Sequence, residues 1–410
     1  MKKVQLENNI PVILKKNKNT PRHAMCFYIK IQKPEKRAGL YTVLNRLFLQ
    51  GTQKYSAQEL AQVLDENAIE CYSEMKSDFI RFKTQCLNED IEKTIEILAD
   101  IIQNSTLDDF EKEVIKIKGE IQADMDEPKS KAMDMFYTNV FANHQYGHTC
   151  TKILEEIDEL TKTEVEETYQ YLLKNAPKVI SVAGDFDENY IIGLFNKYFV
   201  DVKNAQLAEN EMGQPELKQT EVVRITKDDA SQAQIIQGWH VPTIFSEDYA
   251  AIMVMNTLLG SCGLSSRLFL ELREKKGLAY VVRSCYETYN NAGLFSVYIA
   301  TEPKNIETSL EGFKIELEKI KNIPISDVEL ENAKNNLLGK RQFFTETNMQ
   351  QISLMAFYED KGLGADFEEK LKEMIKAVKP EDVQRIANTY INEPFVLTVL
   401  APEKYLNFKV

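Results

Sequence analysis

Apolar positions along the chain switch between two periods. VILKK (12–16) and AMCFYIKI (24–31) read as strands. SAQELAQVLDEN (56–67) follows with helical spacing, and Ser56 and Glu59 stand three apart as a capping box. IECYSEM (69–75) and DFIRFKTQC (78–86) return to a period of two, and NEDIEKTIEILADIIQ (88–103) is an amphipathic helix. Helices are predicted through 108–142, and KVISVAG (178–184) reads as a buried strand.

The same order then recurs. GLAYVVRSCYETY (277–289) and GLFSVYIAT (293–301) read as strands around a hairpin turn at NNAG (290–293), and PKNIETSLEGFKIELEKI (303–320) is the helix after them. Ile91 matches Ile306 at an offset of 215, Phe110 matches Leu330 at 220, and Val165 matches Val383 at 218. Element types recurring in one order at nearly one offset predict two homologous halves. The polar stretch 201–219 between them, with Gly213 and Pro215, has a linker composition. The expectation is an α+β protein of two homologous domains, 1–200 and 220–410. Each would be a mostly antiparallel sheet covered by helices, and the pair would form a clamshell with a ligand cleft.

Composition narrows the function classes. With 43% apolar and 28% charged residues the chain has the make-up of a soluble globular protein. A formal net charge of −13 argues against nucleic acid or an anionic membrane as partner, since phosphate binding needs a basic surface. The six cysteines form no Cys-x-x-Cys pair, which fits small apolar residues in a reduced compartment. The basic start MKKVQLENNIPVILKK has no continuous apolar stretch, so no signal peptide is read and a cytoplasmic location is expected. The apolar run 250–259 is too short to span a bilayer. GSCGLSSR (260–267) lacks the Gly-Lys-Ser/Thr ending of a phosphate loop and reads as a turn, with Ser265 as helix cap.

SSRLFLELREKKGLAYVVRSCYETYNNAGLFSVYIATEP (265–303) closely resembles the C-terminal half of the pitrilysin/insulinase family of zinc metallopeptidases. The mitochondrial-processing-peptidase-like branch is nearest in size. GLYTVLNRLFLQGT (39–52) resembles that family's N-terminal catalytic helix, including the closing Gly51-Thr52. The family motif there is His-x-x-Glu-His. Two histidines at i and i+4 share one helix face and bind one zinc, and the glutamate serves as general base. The matching positions in this chain are Thr42, Asn45 and Arg46. Thr42 is a poor ligand, Asn45 takes no proton from water, and Arg46 repels a cation. Glu113 and Glu120 keep the family's spacing on the later helix, which puts Glu120 at the third-ligand position, free to pair with Arg46 instead. No metal is expected in this chain. The four histidines, His23, His144, His148 and His240, form no metal motif, and NHQYGH (143–148) reads as a loop.

Arg273 and Tyr280 stand seven apart in REKKGLAY. Read alone, they are a helix C-terminal cation and a strand aromatic. The resemblance implies a substrate-holding pair, in which a guanidinium grips a peptide carbonyl and a phenol donates to an oxyanion. The implied function is a non-catalytic subunit of a heterodimeric zinc peptidase. Its partner would be a homologous subunit carrying His-x-x-Glu-His and the zinc, and its substrate a peptide or small unfolded protein. The alternative is a non-enzymatic scaffold or peptide-binding protein of the same fold.

Overall fold

The computed structural model describes residues 1–205 and 211–409. Part of the expected linker, 206–210, lies outside the described residues. The chain divides into two compact units. Met1–Gly119, Ile153–Met212 and Gln342–Glu369 make the first; Glu120–Lys152, Gly213–Arg341 and Lys370–Val410 make the second. The contiguous halves 1–200 and 220–410 read from the sequence therefore differ from these units by two exchanged segments.

The first unit is built on β1 (Lys2–Gln5), β2 (Pro11–Lys16), β3 (Arg22–Lys30), β4 (Glu70–Lys76), β5 (Phe79–Leu87) and β6 (Lys178–Gly184), in the spatial order β1-β2-β6-β3-β5-β4. The second is built on β7 (Glu221–Thr226), β8 (Ala233–Val241), β9 (Ala279–Thr288), β10 (Gly293–Thr301) and β11 (Val396–Ala401), in the order β7-β11-β8-β10-β9. Without β1 the two orders correspond strand for strand, so the repeat seen in the sequence is a repeat of topology. Each sheet is antiparallel except for one parallel pair, β2 with β6 and β7 with β11. Strands β6, β10 and β11 are buried along their whole length, as largely apolar strands covered on both faces are. The NNAG turn forms as expected, with Tyr289 N–H donating to the Ala292 carbonyl at 2.8 Å.

The exchanged segments carry one helix each. In the first unit, the helix Asn348–Asp360 lies on β3 and β6. Ile352, Met355 and Ala356 pack into a cluster with Ala24, Tyr28 and Val179. Ser181 Oγ donates to the Ile352 carbonyl at 2.7 Å. In the second unit, the helix Pro128–Val140 lies on β8 and β11. Gly238 makes this possible, because a Cβ there would sit 2.5 Å from Phe136 Cζ. His240 Nε2 donates to the Val140 carbonyl at 2.8 Å. No helix among the described residues is long and apolar enough to cross a membrane.

Candidate functional site

In the first unit, the helix Leu40–Leu47 forms because Leu40, Tyr41, Val43, Leu44 and Leu47 bury one face. Its first turn holds no acidic residue of its own. Glu35, upstream, accepts from Tyr41 N–H at 3.2 Å, and Glu156 accepts from Ala38 N–H at 2.7 Å, so carboxylates still stand at the positive end of the helix. Thr42, Asn45 and Arg46 share the opposite, less buried face, as i, i+3 and i+4 spacing dictates. Asn45 Oδ1 accepts from Ser73 Oγ of β4 at 2.5 Å. This donor set does not fit zinc: a hydroxyl, a carboxamide and a guanidinium stand where a site needs imidazoles and a carboxylate. Among the described residues no cluster of three or more His, Cys, Asp or Glu side chains is placed to hold a metal ion.

On the helix Phe110–Asp126, Glu113 is buried and pairs with Lys116 one turn on, at 2.5 Å. Glu120 is exposed on the same helix and opens the second unit. The histidines have structural work. His23 Nε2 bonds the Asp185 carbonyl at 2.8 Å, and burial lowers the pKa of His23 and of His240. His144 Nδ1 accepts from Tyr146 N–H at 3.1 Å within a short 3-10 turn.

The second unit brings Arg273 and Tyr280 together. The helix that carries Arg273 is wound as a π-helix over Phe269–Lys275, a winding that recurs at functional sites. Gly277 ends it at φ +61°, a conformation that favours glycine. Gly277 N–H donates to the Arg273 carbonyl at 3.0 Å, and Leu278 N–H to the Leu272 carbonyl at 2.9 Å. The tight reversal starts β9 at Ala279 and carries Tyr280 back over Arg273. Arg273 Nη1 donates to the Tyr280 carbonyl at 2.7 Å. The guanidinium lies 4.7 Å from the Tyr280 ring centroid and 4.7 Å from that of Phe269, a cation between two aromatic faces.

This packing fixes the pair without using its outward chemistry. Tyr280 is 76% exposed, and its hydroxyl makes no hydrogen bond among the described residues. Only one guanidinium nitrogen has a hydrogen-bond acceptor there, which leaves donors of the others unused among the described residues. Exposed Lys275 and Lys276 flank the turn, with Lys275 paired to Glu271 at 2.5 Å and Glu274 exposed beside Arg273. Sequence reading missed Phe269 as the second aromatic face, although its i, i+4 spacing from Arg273 on an expected helix was the available signal. It also missed the π winding, which apolar spacing does not reveal. The helix cap falls one residue later than Ser265: the Ser266 carbonyl accepts from Leu270 N–H at 2.9 Å, while Ser265 Oγ lies 3.4 Å from Cys262 Sγ.

Comparison with known proteins matches both halves of the chain. Residues 12–152 match the model of the insulinase family, peptidase family M16, and residues 159–337 match that of the peptidase M16 inactive domain. An uncharacterized zinc protease of Mycobacterium leprae is 27% identical over 374 residues, covering 89% of this chain and 83% of that protein. An uncharacterized zinc protease of Bacillus subtilis is 25% identical over 409 residues, covering 98% of each. Among solved structures, a protease from Helicobacter pylori superposes with a TM-score of 0.89 at 21% identity, over 98% of this chain and 99% of that one. A peptidase M16 inactive domain from Pseudomonas fluorescens gives 0.88 at 19% identity, over 98% of each.

Proposed function

This chain belongs to the insulinase family of M16 peptidases, and we propose that within it the chain is a non-catalytic subunit that holds peptide for a partner's hydrolytic centre. The observation that carries this reading is the Arg273–Tyr280 pair, locked from behind by Phe269 and a backbone carbonyl and open in front. The guanidinium grips a backbone carbonyl of an extended peptide. The phenol donates to the oxygen that gains charge as the peptide carbonyl is attacked. The helix Leu40–Leu47 supports the other side of the reading, because Thr42, Asn45 and Arg46 supply neither metal ligands nor a general base. The zinc and its water therefore belong to a homologous partner carrying His-x-x-Glu-His. The substrate class is peptides or small unfolded proteins, and the compartment is the cytoplasm.

The test is co-purification of the tagged chain from its host, with mass spectrometry and a peptidase assay on the eluate. The expected result is a stoichiometric partner of similar size with an intact His-x-x-Glu-His and chelator-sensitive cleavage of a fluorogenic peptide. A chain that elutes alone, or within an assembly that has no such partner and no cleavage, overturns the reading.

A further inference from the structure

Besides the unmatched β1, the match between the two units breaks after the last strand of each sheet. In the first, β6 is followed by the helix Glu188–Tyr198, which packs on the helix Ile91–Asn104. In the second, the described residues after β11 form only a short turn at Glu403–Tyr405. The helix Ile306–Asn322, the counterpart of Ile91–Asn104, instead borders a cavity of about 880 Å³. Val222 of β7, Trp239 of β8 and Leu397 of β11 line it from the sheet.

The helical wall of this cavity repeats the docking stripe of the first unit. There, the Glu92 carboxylate accepts from Lys197 Nζ at 3.0 Å, Tyr190 Oη at 3.0 Å and Tyr198 Oη at 3.1 Å. Gln103 Nε2 donates to the Tyr198 carbonyl at 2.8 Å. At the repeat offset of 215, Glu92 corresponds to Glu307 and Gln103 to Glu318, and both line the cavity. Ile95 and Ile102 correspond to Leu310 and Leu317, which also line it. Glu307 is exposed and makes no hydrogen bond or ion pair among the described residues. Trp239 is 2% exposed, and its indole N–H likewise has no partner there. A buried donor without an acceptor is uncommon in a finished core.

We propose that this cavity is the docking site for an amphipathic helix of a partner protein. The internal repeat specifies the occupant. The helix Glu188–Tyr198 buries Ile191, Leu194 and Phe195 at i, i+3 and i+4 and presents Lys197 to a glutamate. The partner helix carries the same apolar spacing over about three turns, with a lysine placed to reach Glu307. This is helix-in-groove recognition, in which apolar anchors supply affinity and the rim charge sets register.

The probe is a synthetic peptide of residues 187–199, DENYIIGLFNKYF, added to the full chain. Trp239 is the sole tryptophan and lines the cavity, so its fluorescence reports occupancy directly. A saturable change is expected. Glu307→Lys, an exposed substitution that leaves the core intact, should weaken binding roughly tenfold. A peptide with Lys197→Glu should bind wild type poorly and recover on the Glu307→Lys chain. No saturable change, equal binding of a shuffled peptide, or indifference to Glu307→Lys overturns the proposal. If the chain alone sediments as a dimer that the peptide disperses, the occupant is a second copy, and the partner reading falls.

Discussion

The helix Leu40–Leu47 and the segment Phe269–Tyr280 belong to units whose sheets share one strand order apart from β1, yet they treat polar side chains in opposite ways. On the first, Asn45 is tied to Ser73 of the neighbouring strand, and no set of metal ligands remains. On the second, Arg273 is held from behind by an aromatic face and a carbonyl, and the Tyr280 phenol is turned outward. A shared scaffold therefore says little about chemistry. A few side chains, and whether their hydrogen bonds are already satisfied, decide what each copy can do.

The sharpest way to break this contrast is Arg273→Ala. If the outward pair holds substrate, turnover of the complex should fall about a hundredfold, in line with losing the clamp that orients the peptide at the reacting centre. Thermal unfolding should barely move, because the guanidinium's own contacts are half-exposed. Unchanged turnover would place the contrast in packing alone.

A second contrast lies in the sheets themselves. β6 opens with a buried lysine, Lys178, where β11 opens with Val396. Burial pushes the Lys178 pKa down to about 7, against donation to the Ala176 carbonyl at 2.6 Å and the Lys203 carbonyl at 2.8 Å. The folded chain sheds this proton near pH 7, whereas the unfolded chain keeps it to about 10.5. Between those values the unfolded state binds more protons, so the stability of the first unit rises with pH, by up to about 5 kcal/mol. Below pH 7 the cost of burying the charge is fully present. Urea midpoints across this range should climb in the wild type, and Lys178→Met should remove that climb. Parallel curves for the two chains would refute it.

Tyr280→Phe separates the phenol from the ring. It keeps the stack on Arg273 and removes the donor, so kcat should drop roughly tenfold with KM little changed. A rise in KM alone would make the tyrosine a binding surface rather than an oxyanion donor. The smallest effect belongs to the other side of the comparison. Asn45→Ala removes one side-chain hydrogen bond and should cost about 1 kcal/mol in a denaturation series, with no change in turnover. A large loss of activity would put chemistry back on the helix Leu40–Leu47.

The repeat was legible because its strands and helices carry strong periods, and the offset between Ile91 and Ile306 survives in the helices that open at those residues. The edge strands β1 and β7 were not read. KKVQ is short and largely exposed and EVVRIT is short and mostly half-buried, so no buried face imposes alternation. The exchange of Pro128–Val140 and Asn348–Asp360 was also hidden. An apolar stripe shows that a helix packs, but not on which sheet. The pairing of Arg273 with Tyr280 was readable as spacing. Its geometry was not, because the π winding and the positive φ of Gly277 leave no mark on hydrophobic period.

The exchanged helices also give the molecule a birth order. Synthesis runs from the N-terminus, so all six strands of the first sheet exist once residue 184 has been added. Their cover, Ile352, Met355 and Ala356, arrives more than 160 residues later. Until then Ala24, Tyr28 and Val179 form an apolar face without its lid. The nascent chain thus carries a sticky half-finished sheet through much of its translation, a stage at which a ribosome-bound chaperone has the most to protect.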